Sequence, residues 1–254
     1  MRRSVYSRFV IGLAVCAALI GAVGTWARRA NHGIPQLQIA NKTRSLIVES
    51  ITELDSAQVG KKTLRRFKVT VKNGYSQPVV AYAFQQQDKS VGQGTSAAVE
   101  TNGAAIGWVL APNATDETQF SVPSEGDVVI TLAAVLLKDG TGDGDVGTVS
   151  RLKENRAGVK LAYEQIVPLL RPGPTSDQDP GSEAVIEAVE NHISFAADER
   201  KVERNLRRGF REAKELIVTD LRELKTRARA GQHLEYRAEI DKIRARVEDV
   251  LTKL

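Results

Sequence analysis

The sequence predicts an all-β sandwich over residues 36–147, a mostly α-helical C-terminal region after it, and one apolar membrane or signal helix before it. Three observations carry this expectation. Phe67, Val69 and Val71 alternate with Lys68, Thr70 and Lys72, the period of two that gives a strand one apolar and one wet face. Short apolar runs separated by polar or glycine-rich joints recur between residues 37 and 138, the pattern of an antiparallel sandwich. From residue 148 onward the apolar spacing changes to three and four, the helical period.

At 254 residues the chain has room for a β-domain of about a hundred residues plus appendages. Its net charge of +5 comes from 36 Lys and Arg against 31 Asp and Glu. Arg2, Arg3, Arg8, Arg28 and Arg29 flank one apolar segment, and residues 1–29 contain no acid. Without those five arginines, basic and acidic residues number 31 each. The excess therefore reads as a membrane-targeting feature and not as a nucleic-acid surface. Cys16, the only cysteine, lies inside the apolar segment, so the remainder has no disulfide and no thiol chemistry.

Phe9–Trp26 carries no charge. A spanning helix needs about 20 such residues and a signal-peptide core about 7–15, so the run falls between them. Trp26 followed by Arg28 and Arg29 reads as an interfacial anchor, whereas Ala22-Val23-Gly24 and Thr25-Trp26-Ala27 read as cleavage sites. Leu13-Ala14-Val15-Cys16 only faintly resembles a lipoprotein box, because Val15 is too large. An uncleaved anchor leaves the chain on the inner membrane facing the periplasm; a cleaved signal releases it. Both place residues 30–254 outside the cytoplasm, and eight residues before the segment leave no room for a cytoplasmic domain.

Seven candidate strands follow: Leu37–Asn41, Ser45–Leu54, Leu64–Lys72, Val79–Gln85, Ala105–Leu110, Thr118–Val122 and Asp127–Lys138. Ile47, Glu49, Ile51 and Glu53 alternate, but Val48 and Leu54 fall on the other phase, which predicts a bulge or a crossover between sheets. The stretch VKNGYSQPVVAYAF, with the later LLKDGTGDGD, resembles a pattern in uncharacterised exported bacterial proteins with an immunoglobulin-like β-domain, over about residues 45–170. The resemblance implies an exported immunoglobulin-like sandwich with a following helix. That family has no assigned reaction, so no catalytic residue carries over.

The segment Asp139-Gly140-Thr141-Gly142-Asp143-Gly144-Asp145 is the one stretch suited to chemistry. A calcium loop wants oxygens at positions 1, 3 and 5 with Gly at 6, and Asp139, Thr141, Asp143 and Gly144 fit. Position 12 is Ser150 where a bidentate Glu is expected. Asp139, Asp143 and Asp145 are therefore weak calcium candidates. The plainer reading is a glycine-rich exit from the last strand, with Asp145 or Thr148 capping the next helix.

Val149, Leu152, Val159, Tyr163, Ile166 and Leu170 form an amphipathic stripe over 148–170, with Arg156 at its one missing position and Gly158 weakening it. RPGPTSDQDPG, residues 171–181, is a linker. Residues 182–254 read as a helical hairpin or a coiled-coil region. Tyr236, Ile240, Ile243, Val247, Val250 and Leu254 step by four and three, an a/d seam with charges outside it. The seam predicts either folding back about Gly231 or pairing with another chain. Arg200, Arg204, Arg207, Arg208, Arg211 and Lys214 cluster on the middle helix, interleaved with Glu199, Glu203, Glu212 and Glu215, which favours intrahelical ion pairs over a grip on anionic lipid.

His32, His192 and His233 have no ligand spacing around them, and no zinc, thiol-redox, serine-hydrolase or phosphate-loop motif is present. Tyr75, Tyr82, Phe84 and Trp108 read as packing. The leading expectation is a non-catalytic binding or structural protein of the bacterial cell envelope without a cofactor. Its expected partners are the membrane, through Phe9–Trp26 where that segment is uncleaved, and a protein or second copy, through the C-terminal helices. The competing expectations are an exported hydrolase with an unconventional acidic site and a calcium-dependent adhesion module.

Overall fold

A computed structural model of the chain describes residues 37–59, 62–88, 96–101, 103–124, 127–171, 182–192, 203–230 and 236–254. In order the elements are β1 (Leu37–Asn41), β2 (Leu46–Val59), β3 (Lys62–Asn73), β4 (Val79–Asp88), β5 (Ser96–Thr101), a 3-10 turn (Gly103–Ile106), β6 (Thr115–Pro123), β7 (Val128–Leu137), β8 (Gly142–Gly144), α1 (Val146–Leu169), α2 (Ser182–His192), α3 (Arg204–Arg229) and α4 (Tyr236–Lys253). One sheet has the order β1-β7-β4-β5, with β8 added to β7; the other is β2-β3-β6. All pairings are antiparallel except β1 with β7, which is parallel.

The strand with clean alternation behaves as alternation requires. Phe67, Val69 and Val71 of β3 point inward and join Leu46, Phe120 and Val122 against Val79, Tyr82, Phe84, Ile130 and Leu132 of the other sheet. The β4 run VVAYAF and the β7 run VVITLAAVLL do not alternate, because both faces of their sheet are covered. Val80, Ala81, Ala83, Ala134 and Leu136 face away from the sandwich and pack on Leu152 of α1. Small alanines on that face let the helix approach. Between Ala83 and Phe84 the register slips, leaving Ala133 without a partner residue across from it. The Ala133 carbonyl accepts instead from the backbone N–H of Asp145, at 2.8 Å. This bulge joins the sheet to the start of α1. Gly144, at φ 100°, is required there: a Cβ would lie 2.3 Å from the Ala133 oxygen.

The four helices build a core of their own. Val159, Tyr163 and Ile166 of α1 meet Val189 of α2, Phe210, Ile217 and Leu221 of α3, and Ile240, Val247 and Val250 of α4; Ala104 of the 3-10 turn inserts among them. Where α1 crosses α3, two glycines bring backbone to backbone. A Cβ on Gly158 would sit 2.0 Å from the Leu206 carbonyl oxygen, and one on Gly209 would sit 2.0 Å from that of Asn155. The ion pairs Asp220–Arg246 and Arg227–Glu239 show that α4 runs antiparallel to α3.

These observations correct the predicted fold class. The protein is not an all-β immunoglobulin-like sandwich with helices appended. It has three layers, two sheets and a helical layer, and one sheet is mixed. The doubly apolar β4 and β7 are the physical reason: a sheet greasy on both faces demands a second cover. Nor is there support for a membrane helix: no helix among the described residues is long and apolar enough to cross a bilayer, and Phe9–Trp26 lies outside them. The coiled-coil expectation is also corrected. Ile240, Val247 and Val250 are buried inside this chain's helical core, with Tyr236, Ile243 and Leu254 packed at its margin, so the seam is satisfied internally. At finer scale, Ala105–Leu110 is not a strand: Ala105 and Ile106 belong to the 3-10 turn and Leu110 makes an isolated bridge with Val79, while β5 and β8 lie outside the seven predicted strands. β2 extends to Val59 and β3 begins at Lys62, both inside the expected joint at 56–62. The irregular β2 pattern is a pair of register shifts, between Val48 and Ser50 and between Glu53 and Ser56. The 171–181 linker falls outside the described residues apart from Arg171.

Gly158→Ala and Gly209→Ala should each destabilise the chain by about 1–3 kcal/mol or more, because neither backbone can yield without separating α1 from α3. Gly147→Ala, whose Cβ would meet only the Asp145 carboxylate at 3.6 Å, is the control and should be neutral or stabilising by up to about 1 kcal/mol. Urea denaturation of the three variants checks the contrast.

Candidate functional site

A groove of about 320 Å³ lies between α3 and α4, lined by Asp220, Glu223, Leu224 and Arg227 on one side and Glu239, Lys242, Ile243 and Arg246 on the other. The two walls share one rhythm. Charges recur three and then four residues apart on α3 (220, 223, 227) and again on α4 (239, 242, 246), so each set lies along one helix face. Buried Leu224 and half-buried Ile243 belong to the apolar layer beneath. Arg246 pairs with Asp220 at one end. At the other, Glu239 faces Lys242 at 2.5 Å and Arg227 at 4.0 Å. The hydrogen bond from Lys242 holds the Glu239 carboxyl below its usual range. Glu223 forms no hydrogen bond or ion pair among the described residues.

Behind the groove stands Tyr163 of α1. Its hydroxyl donates to the Ala105 carbonyl, and burial pushes its pKa up to about 12, with Asp220 adding to the rise and Arg246 opposing it. The phenol is therefore a neutral donor at any physiological pH. Arg156 lies deeper. It donates from Nη1 to the Val80 carbonyl at 3.1 Å and from Nη2 to the Lys253 carbonyl at 2.6 Å, tying α1 to β4 and to the end of α4. Burial lowers its pKa. A guanidinium is well suited to the negative end of a helix dipole.

The three aspartates of the glycine-rich exit are held by protein donors. Asp143 Oδ2 accepts from the backbone N–H of Arg44 (2.6 Å) and Ser45 (2.7 Å) and from Ser45 Oγ (2.8 Å). Asp139 Oδ1 accepts from Thr141 N (2.9 Å) and Oγ1 (2.6 Å). Asp145 caps α1, accepting from Thr148 N (2.8 Å) and Oγ1 (2.7 Å). Burial raises the Asp143 pKa, but those three hydrogen bonds outweigh it and leave the carboxyl below its usual range. Among the described residues no group of three or more His, Cys, Asp and Glu is placed to hold a metal ion.

The remaining residues singled out by sequence sort as follows. On α3, Arg208 pairs with Glu212 (2.7 Å), Arg211 with Glu215 (3.8 Å), and Lys214 donates to the Glu190 carbonyl (2.7 Å), so these cations are engaged; Arg200 lies outside the described residues. Tyr82 stacks tilted on Trp108 and edge-on to Phe84 in the sandwich core, and its hydroxyl donates to Asp116 at 2.8 Å. Tyr75 is exposed. His192 ends α2, while His32 and His233 lie outside the described residues. Of the groove residues, the a/d seam reaches only Ile243, and it leaves the charges around that residue as solvated flank. The matching three-and-four charge spacing on two helices is the signal that locates the groove.

The sequence matches no family model and no curated protein. A search of solved structures finds, among others, the X-ray structure of Northeast Structural Genomics Consortium target SoR45, at 14% identity, with 39% of this chain and 80% of that chain covered and a TM-score of 0.27. At that TM-score the likeness carries no argument.

Asp143 has a folded-state pKa below its unfolded value, so its contribution to stability is fully present above the unfolded carboxylate range and is lost as pH falls through the depressed value. Asp143→Asn should lower stability at pH 7 by about 1 kcal/mol, the low end for charged hydrogen bonds because the group is half-exposed, and should flatten the acid limb of the profile. Denaturant midpoints between about pH 7 and pH 3 measure both effects. Calcium must displace the Arg44 and Ser45 donors to reach the same carboxylate. The thermal midpoint should therefore stay unchanged in millimolar calcium, read by differential scanning calorimetry.

Proposed function

We propose that the chain is an exported, non-catalytic binding protein of the cell envelope, and that the α3–α4 groove holds its ligand. The arginine-flanked apolar segment at residues 1–29 supports export. The groove carries the binding reading. Its volume stands at the lower end of ligand sites. Its walls are long helices fixed on α1, so the charges at its mouth are preorganised on a rigid frame. Glu223, exposed and without a partner among the described residues, is a recognition group that the fold itself does not use.

The full chain melted in the presence of soluble envelope fractions tests this. A bound ligand at a hundred times its Kd raises stability by about 2.7 kcal/mol. The expected result is a raised midpoint in at least one fraction, abolished by Lys242→Glu. An unmoved midpoint in every fraction, or product release from envelope polymers by the purified chain, overturns it.

A further inference from the structure

Apart from the groove, we infer that the open half of the β1-β7-β4 face is a second binding site, and that its ligand is a neutral glycan carrying acetamido groups. Strand alternation and register define the site. Ile39, Ile130, Leu132 and Phe84 point into the sandwich, so their neighbours Gln38, Ala40, Val129, Thr131, Gln85 and Gln87 point to the helical side. They fall in two rows across three strands: Ala40–Thr131–Gln85 and Gln38–Val129–Gln87. Helix α1 covers the other half of this face, where Ala83, Ala134 and Leu136 lie. Its cover ends at its first turn, where Gln85 Nε2 donates to Thr148 Oγ1 at 3.0 Å. Beyond that contact Gln38, Ala40 and Gln87 are exposed, and Val129 and Thr131 are half-buried.

The composition of the two rows sets them apart from an ordinary solvated sheet face, and the same chain supplies the comparison. The outward face of the other sheet carries the ion pairs Arg66–Asp55, Lys68–Glu117 and Lys72–Glu49. Neither row holds a charge, and loss of charge is the compositional mark of a patch that a ligand or partner covers. The same residues decide what covers it. A charged polymer would find no counter-charge in the rows and would lose hydration on contact. No Tyr, Trp or Arg stands in them to anchor a protein. Two small apolar side chains, Ala40 and Val129, are too little for a lipid. Three glutamine amides and one threonine hydroxyl donate and accept hydrogen bonds without charge, as sugar hydroxyls require. Ala40 and Val129, set among them, suit the methyl of an acetamido group, whose amide pairs with glutamine. Three strands about 4.8 Å apart make each row about 10 Å long, enough for a disaccharide lying flat.

Titration calorimetry of the full chain with N,N′-diacetylchitobiose, with its deacetylated diamine and with cellobiose tests this. Saturable binding of the diacetyl form with a Kd of about 1 mM or tighter is expected, with each of the other two at least about tenfold weaker, equivalent to about 1.4 kcal/mol. The Gln87 side chain is exposed and forms no hydrogen bond among the described residues. Gln87→Ala should therefore leave the melting midpoint unmoved while weakening the diacetyl form by about threefold to tenfold. No saturable heat up to about 10 mM, equal binding of the three sugars, or a Gln87→Ala variant that binds as the parent does, overturns the inference. So does a dimer in sedimentation that Gln87→Lys dissolves, which gives the face to a second copy. Lys242→Glu, in the groove, should leave sugar binding unchanged; loss of binding in that variant puts the sugar in the groove and overturns the second site.

Discussion

Helix α1 lies between a sheet and three other helices, and everything C-terminal to it depends on how closely α3 can approach. Gly158 and Gly209 set that distance, each facing the other helix's backbone where any side chain would collide. Close approach has consequences along the chain. It buries Asn155, whose side-chain amide donates to Glu212 at 3.3 Å. It lets Phe210, Ile217 and Leu221 reach Tyr163 and Ile166, and it leaves a second flank for Ile240, Val247 and Val250 of α4. The register of α4 on α3, and so the width and charge order of the groove, follows from that packing. A wider α1–α3 spacing would leave the groove without a floor, because Leu224 and Ile243 belong to the same apolar layer.

Buried polar groups in this protein act as joints between layers. Arg156 has no carboxylate partner among its hydrogen bonds; two backbone carbonyls, one in β4 and one at the end of α4, receive it. Removing either carbonyl would strand a desolvated charge, and buried groups left unmatched cost far more than matched ones contribute. Asn73 works the same way at the far end of the sandwich, donating to the Gln77 and Leu110 carbonyls and accepting from the Tyr75 N–H. Asp143 fastens the turn before β2 to the β7–β8 hairpin. Alternating aspartate and glycine can therefore serve the fold alone. Glycine lets the backbone close against Ala133, and aspartate receives the N–H groups that the turn exposes.

Much of this is legible from residue order, and the failures have physical causes. Alternation places β3, and the three-and-four stripes place α1 and α4, because a half-buried element prints its environment on its period. The error at the centre of the predicted fold lies in β4 and β7. A continuous apolar run reads equally well as the core of a free sandwich, yet Ala81, Ala83 and Ala134 on the second face are the mark of a close helical cover. Helix propensity assigns Gly158 a local cost of about 1 kcal/mol, whereas its role is tertiary. The a/d seam of α4 is real as a pattern, but a seam cannot say whether the complementary face belongs to the same chain.

The groove escapes sequence reasoning for a different reason. Charges at helical spacing look like a solvated face, and surface ion pairs do contribute only about 0–1 kcal/mol each, so stability alone gives no reason for their order. Order matters for what can approach. Asp220 with Arg246, and Glu239 with Lys242 and Arg227, are pinned by the helices that carry them and do not have to be assembled when a ligand arrives. In such a frame an unmatched carboxylate acts on its surroundings more than a matched one does, because its field is not cancelled by a near neighbour. Glu223 is that carboxylate. It is exposed on the groove wall and completes no pair among the described residues, and the proposed binding role rests on it.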